Sequence, residues 1–250
     1  MLQLIGLAYL FAAFLYELPL RRRLIVAGGL LLSHWAAIRF IPIPGVGAGI
    51  FTEKQNLINH LNQVYLQPLG LRGIFSVVPT TALVLMGTAI GDLFRHENYP
   101  VVKKIAYLLT SGIVLLVISW IWNLQLPFNK PVWTSSYILF AAGWGTLLLG
   151  FLYLLIDVTG WRAWAFPLIV FGSNALFAYV VPIIIKAHLL QEWQWKLADG
   201  SVLSLQQVLM NFCFMHAGRI PGGWLYTMSY IVFWWLILLL LYRKQVFFRV

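Results

Sequence analysis

Long apolar runs dominate the chain and predict its secondary structure. A bilayer core about 30 Å thick needs roughly 20 apolar residues of helix, and about seven stretches approach that length. Since these runs are continuous instead of alternating, helices are favoured over the strands of a barrel. The predicted spans are Leu2–Tyr16, Leu24–Ile41, Ile74–Phe94, Ile105–Trp122, Ser135–Ile156, Ala165–Ile185 and Trp224–Leu241. The pattern predicts an all-α, polytopic transmembrane helix bundle, with residues 1–250 as a single membrane domain.

Two long connections interrupt the predicted spans. The first runs from Pro42 to Gly73 and contains PIPGVGAGIF, whose glycines allow an irregular backbone. The second runs from about Lys186 to Gly223 and carries an apolar stripe at helical spacing. The stripe consists of Val202, Leu205, Leu209 and Phe212. It predicts an amphipathic helix that either lies at the membrane interface or packs on the bundle as a connector.

Composition and charge narrow the class of protein. A chain that is 61% hydrophobic and 10% charged is not an ordinary water-soluble domain. The net charge of +10 would suggest nucleic acid in a soluble chain, but here the cations flank apolar runs. Lipid headgroups explain that placement better, so we expect a lipid bilayer and no nucleic acid as partner. The single Cys213 excludes an internal disulfide, and no Cys/His cluster has the spacing of a metal site.

The positions of Lys and Arg predict the orientation. Cations crowd the short segments on one side of the predicted bundle, and this side should be cytoplasmic. These segments are Arg21–Arg23, the Arg95 to Lys104 connection, Arg162, and the tail with Arg243, Lys244 and Arg249. The C-terminus is then cytoplasmic. With an odd number of spans the N-terminus is outside, which is a first indication that upstream helices are missing.

Polar residues within the apolar runs are candidates for function, because such groups are expensive in lipid. Asn174, with Gly172 and Ser173, forms a small polar notch. It either belongs to a site or makes a hydrogen bond at a close helix crossing. His34 also lies deep in a predicted span. It either takes a direct role or is a packing residue with its hydrogen bonds satisfied.

The exterior connection LPFNKPVWTSS is the most informative loop. Two prolines restrict the backbone around Asn129 and Lys130, and Trp133 supplies a flat face, as a sugar site would need. The alternative is an interfacial tryptophan beside a helix start capped by Thr134 or Ser135.

On the side predicted to be cytoplasmic, the basic residues could pair with the phosphates of a nucleotide-like donor or serve only as membrane anchors.

Seven segments, taken in order, resemble motifs of the heparan-α-glucosaminide N-acetyltransferase family, including its bacterial homologues. They are LQLIGLAYLFAA, IPIPGVGAG, TEKQNLINHLNQVYL, FNKPVWTSSY, IDVTGW, GSNALFAYV and YRKQVFFRV. The resemblance implies a multi-pass enzyme of the bacterial inner membrane. Such an enzyme transfers acetyl from cytosolic acetyl-CoA, its donor substrate, to an amino sugar or glycan across the membrane. No metal is implied.

The resemblance also assigns residues to the site. Asn129, Lys130, Trp133 and Asn174 occupy family motif positions and are implied to bind substrate. In the tail, Arg243 and Lys244 would lie where acetyl-CoA enters. Because the resemblance marks no catalytic group among the residues present, the catalytic residue is unknown.

The departures from the family matter as much as the matches. The family begins with about four further helices that carry the catalytic histidine, and this chain lacks them. Leu4 replaces an arginine, Asn62 an aspartate and Arg72 a glutamate. The chain is therefore expected to be inactive alone and to need a second chain that supplies the helices, or another copy of itself. The rival hypotheses are an amino-sugar transporter or permease component, with Asn174 lining a pathway, and a non-catalytic remnant.

Overall fold

The computed structural model describes residues 2–71, 73–196, 200 and 202–248, so Arg72 and Arg249 lie outside the described residues. The fold of the described residues is all-α apart from one small sheet. The helices are α1 Leu2–Tyr16, α2 Leu20–Phe40, α3 Leu57–Leu61, α4 Val77–Arg95, α5 Val101–Asn123, α6 Ser135–Leu152, α7 Phe166–Ser173, α8 Ala175–Ile184, α9 Leu205–Ala217 and α10 Arg219–Arg243. The sheet pairs β1 Gln194–Lys196 with β2 Val202–Ser204 in antiparallel register.

Short irregular helices extend or precede several of these elements. π-helical turns follow α3, α6 and α8 at Asn62–Leu66, Tyr153–Val158 and Ile185–Gln191. Single 3₁₀ turns occur at Gln67–Leu69, Ile74–Ser76 and Ala163–Ala165.

Within the described ranges, five helices are long and apolar enough to cross a membrane. They are Leu20–Phe40, Ile74–Arg95, Val101–Asn123, Ser135–Val158 and Arg219–Arg243. These helices suggest a membrane-embedded protein. The bent pair Ala163–Ser173 and Ala175–Gln191 could supply a sixth span, whereas α1 is only 15 residues long. The predicted number of about seven spans is not confirmed.

The chain divides into two compact units, Met1–Gly160 and Trp161–Val250. In the first unit, α1 and α2 pack on α4, and α5 packs on α6. Its main core combines small and branched residues, namely Ala12, Ala27, Leu31, Ala82, Leu85, Ile138 and Leu139. Alanines at these crossings let helices approach closely, which is the usual basis of packing between helices in lipid.

α5 and α6 pack closely in the first unit, where Gly112 faces Gly143. A Cβ at Gly143 would lie 2.8 Å from Leu116 Cγ and 3.0 Å from the carbonyl oxygen of Gly112. A Cβ at Gly112 would lie 2.7 Å from the side chain of Leu147. Both positions therefore require glycine at the observed helix separation.

In the second unit, α9 packs on α10. α9 covers much of the stripe predicted to be an amphipathic helix, but the prediction was wrong for Val202, which lies in β2. The helix begins later because Ser204 and Gln207 form a reciprocal capping box. At the crossing, a Cβ on Gly222 would lie 2.6 Å from the carbonyl oxygen of Cys213, so α10 needs glycine there.

The prediction of one continuous helix over Ala165–Ile185 was wrong at its centre. Asn174 has φ −132° and ψ 48°, outside the helical region, and the two flanking helical segments bend by 66°. Asparagine side chains compete with helical hydrogen bonding, so the residue tolerates such a break.

Candidate functional site

Two loops of the first unit meet at Asn129, between α5 and α6. The Asn129 Nδ2 donates to the carbonyl oxygen of Phe51 over 2.8 Å, and its Oδ1 accepts from the backbone nitrogen of Val132 over 3.3 Å. Phe51 belongs to the long connection after α2. The amide of Asn129 thus ties this connection to the loop before α6.

The start of α6 is anchored by three consecutive buried hydroxyls. Thr134 donates to the carbonyl oxygen of Pro127 over 3.0 Å, and Ser136 donates to that of Leu126 over 2.6 Å. Ser135 reaches across to α2 and donates to the carbonyl oxygen of Leu31 over 2.7 Å. Thr134 is the N-cap residue by position, but its side chain makes no capping bond. The hydroxyls therefore hold the loop in place and join α6 to α2.

Lys130 and Trp133 flank this anchor. Lys130 is exposed, while Trp133 is half-buried and packs against the main core of the first unit. The backbone of Trp133 has φ +56°, which is uncommon for a residue other than glycine. Such outliers often occur at functional sites, where surrounding contacts hold the strained conformation.

His34 lies in α2 beneath this strained turn and is only 4% exposed. Its imidazole lies against the backbone of Val132 and Trp133. Among the described residues, its Nε2 atom has no hydrogen-bond partner. A buried polar atom without a partner is rare, and one explanation is a ligand or reacting group that binds there. The sequence marked His34 and Trp133 separately, but their proximity depends on tertiary structure.

At the other end of α2, Arg23 is engaged in a buried network. It is 5% exposed, pairs with Asp92 of α4, and donates to Thr88 Oγ1 over 2.8 Å. Its guanidinium also lies 5.1 Å from the ring centroid of Tyr16. Arg23 is therefore unavailable to donor phosphates, whereas its neighbours Arg21 and Arg22 are exposed. Sequence reasoning did not identify Asp92 as its partner.

In the second unit, Asn174 is completely buried at the break between α7 and α8. Its Nδ2 donates to the carbonyl oxygen of Val246 over 3.1 Å, and its Oδ1 accepts from the backbone nitrogen of Phe248 over 2.8 Å. The ring of Phe248 stacks on Phe177 with centroids 5.3 Å apart. The amide of Asn174 is therefore committed to holding the C-terminal segment.

The predicted site residues thus belong to both units. Asn129, Lys130 and Trp133 lie together in the first unit. Asn174 lies in the second unit beside the segment that follows the exposed residues Arg243 and Lys244. The observed roles of Asn129 and Asn174 are to position backbone, so any contact with substrate remains a prediction.

No protein-family model and no curated protein matches this chain. The resemblance to the acetyltransferase family therefore stays a prediction.

Proposed function

We propose that the chain is a multi-pass component of a bacterial inner-membrane acetyltransferase. It would act in the transfer of acetyl from cytosolic acetyl-CoA to an amino sugar or glycan outside. The observation that carries the proposal is the buried Nε2 of His34, which has no hydrogen-bond partner among the described residues and lies beneath a strained loop. The family resemblance supplies the reaction, and the buried imidazole of His34 is the group that we propose for its proton transfer.

Lipid contact is supported by the surface of the apolar helices. Phe14, Ile121 and Leu240 are 75%, 64% and 59% exposed on α1, α5 and α10. Such apolar surface marks a membrane or a partner interface. Together with the basic segments, it favours spans whose Lys- and Arg-rich ends are cytoplasmic.

Lys130 tests this topology, because the proposed orientation places it outside. A Lys130→Cys variant in a Cys213→Ser background should react with a membrane-impermeant maleimide in intact cells. Labelling only after lysis would reverse the topology.

Acetyl transfer needs a base for the acceptor. The amine nitrogen attacks the thioester carbonyl, a C–N bond forms, the C–S bond breaks, and coenzyme A leaves as its thiolate. A base removes the amine proton and returns it to the leaving sulfur. We propose that His34 Nε2 accepts this proton, since imidazole is suited to general base catalysis. The exposed Arg243 and Lys244 are the proposed contacts of the donor phosphates. A second chain, or another copy of this one, completes the site.

The test uses membrane vesicles from the native host, with radiolabelled acetyl-CoA and glucosamine. Deleting the chain should abolish labelled sugar, and restoring the wild-type chain should recover it. His34→Ala should lower the recovered rate by about 100-fold or more, the typical contribution of a general base. His216→Ala, which removes an exposed histidine, should recover the full rate. The proposal is contradicted if sugar acetylation survives the deletion, or if the His34→Ala chain restores acetylation to the deletion strain.

A second function, amino-sugar transport, is favoured by the break at Asn174. Transporters often form substrate sites where a membrane helix is interrupted, and the helical segments here bend by 66°. In proteoliposomes, glucosamine uptake without acetylation would select transport. Acetylated sugar without uptake would select the enzyme.

A further inference from the structure

An apolar cavity of about 480 Å³ lies between α2, α4, α5 and α6 of the first unit. This volume is in the range of about 300–1,000 Å³ typical of ligand sites. Leu24, Val114 and Leu149 line the cavity and are 44%, 53% and 39% exposed. The cavity therefore opens onto the outer surface of the unit, where the apolar helices would meet lipid.

The lining offers no free hydrogen-bonding side chain. Its two hydroxyls are engaged within their own helices, because Ser111 donates to the carbonyl oxygen of Tyr107 over 2.5 Å and Thr146 donates to that of Ala142 over 2.8 Å. Gly87 and Gly145 also line the cavity, and a Cβ at either would meet nothing within 4 Å. An occupant bound here gains only from burying apolar surface, which is the property of an alkyl chain.

The cavity has one charged end. The start of α2, the end of α4 and the start of α5 lie together there, since Arg23 of α2 pairs with Asp92 of α4 and a short connection joins α4 to α5. Arg21 and Arg22 are exposed at this end, and Leu24 of the cavity lies within one turn of them.

The depth of the cavity matches one leaflet. Leu83 lies 12 residues before the end of α4, which places it about 18 Å from the basic end at 1.5 Å per residue. The cavity therefore extends from the first turn of α2, at the basic end, to about the middle of a bilayer core about 30 Å thick. An acyl chain whose headgroup lies among the arginines would span this depth.

We propose that the cavity binds one acyl chain of an anionic phospholipid from the leaflet at the basic end, with the lipid phosphate at Arg21 and Arg22. Lys and Arg at a membrane surface attract anionic headgroups. The apolar lining selects the chain, and the arginines select the charge. The proposal does not depend on acetyltransferase activity.

The experiment uses the full chain in liposomes that contain phosphatidylglycerol with a photoactivatable diazirine in its acyl chain. Cross-links mapped by mass spectrometry should concentrate on the cavity-lining residues of α4, α5 and α6. Phosphatidylcholine with the same chains should label these residues several-fold less. Gly145→Leu fills the cavity and should reduce cavity labelling about tenfold, as expected if roughly two methylene groups lose their burial.

Gly29→Leu is the matched control, because Gly29 on α2 is likewise exposed and a Cβ there also meets nothing within 4 Å, but Gly29 does not line the cavity. It should label like the wild type. Gly87→Leu fills the same cavity from α4, so the test does not depend on one variant folding. The wild-type cross-link map is a third measurement that needs no variant.

Three results overturn the proposal. The first is a set of cross-links that spreads over the outer helix faces and is unchanged by both cavity-filling leucines. The second is equal labelling by the two phospholipids that differ in headgroup. The third is cavity labelling by a diazirine-bearing long-chain acyl-CoA but not by the phospholipid.

Discussion

Gly143→Ala tests the α5–α6 packing most directly. The added Cβ would lie 2.8 Å from Leu116 Cγ and 3.0 Å from the carbonyl oxygen of Gly112. The carbonyl oxygen belongs to the backbone of α5, so the two helices must separate to admit the methyl group. Overpacking of this kind costs about 1–3 kcal/mol.

Gly145→Ala is the matched control in the same helix, since its Cβ meets nothing within 4 Å. Replacing glycine by alanine inside a helix stabilises it by about 1 kcal/mol. That gain is common to both variants and cancels in their comparison. Gly143→Ala should therefore be less stable than Gly145→Ala by about 1–3 kcal/mol, the cost of the clash alone.

The assay is thermal unfolding of both purified variants in the same detergent. Each kcal/mol should lower the midpoint by about 2–4 °C for a chain of this size. In a Leu116→Ala background the cost of Gly143→Ala should shrink, because one of the two clashing groups is gone. Equal midpoints for the two variants, or a more stable Gly143→Ala, would refute the packing described here.

Three further substitutions have defined outcomes. Arg23→Ala leaves its carboxylate partner uncompensated and should cost about 2–3 kcal/mol in thermal unfolding, while Arg22→Ala, at an exposed position, should change little. Gly222→Ala should push α9 from α10 and speed thiol modification of the single cysteine, whereas Gly223→Ala, with its nearest neighbour 3.8 Å away, should leave that rate unchanged. Asn174→Leu should release the C-terminal segment to proteolysis and abolish any acetyl transfer while the protein stays inserted; unchanged cleavage and turnover would remove it from both roles.

The sequence predicted the helices well because their signal is local. Apolar runs of near-span length indicated α1, α2, α4, α5, α6 and α10 within a few residues of their observed ends. The failures occurred at single residues. The capping box at Ser204 moved a helix start past Val202, and the interruption at Asn174 divided one predicted span into two helices.

The candidate site was predicted only as separate residues. The sequence marked Asn129, Trp133 and His34, each as a polar or aromatic residue in an unusual context. It did not show that the Trp133 backbone covers His34, or that Asn129 bonds a loop 78 positions away. Nor did it show that the amide of Asn174 is used by the C-terminal segment.

The sequence by itself determined that the chain forms apolar helices with basic residues at certain ends. Hydrophobicity and helical length are properties of contiguous residues, so no tertiary contact is needed to read them. Only the tertiary structure decided which arginine is buried with a carboxylate, which glycines lie at helix crossings, which histidine nitrogen has no partner, and where a cavity remains. Those outcomes depend on how helices distant in sequence pack, and a displacement of about 1 Å is enough to lose a hydrogen bond or close a contact.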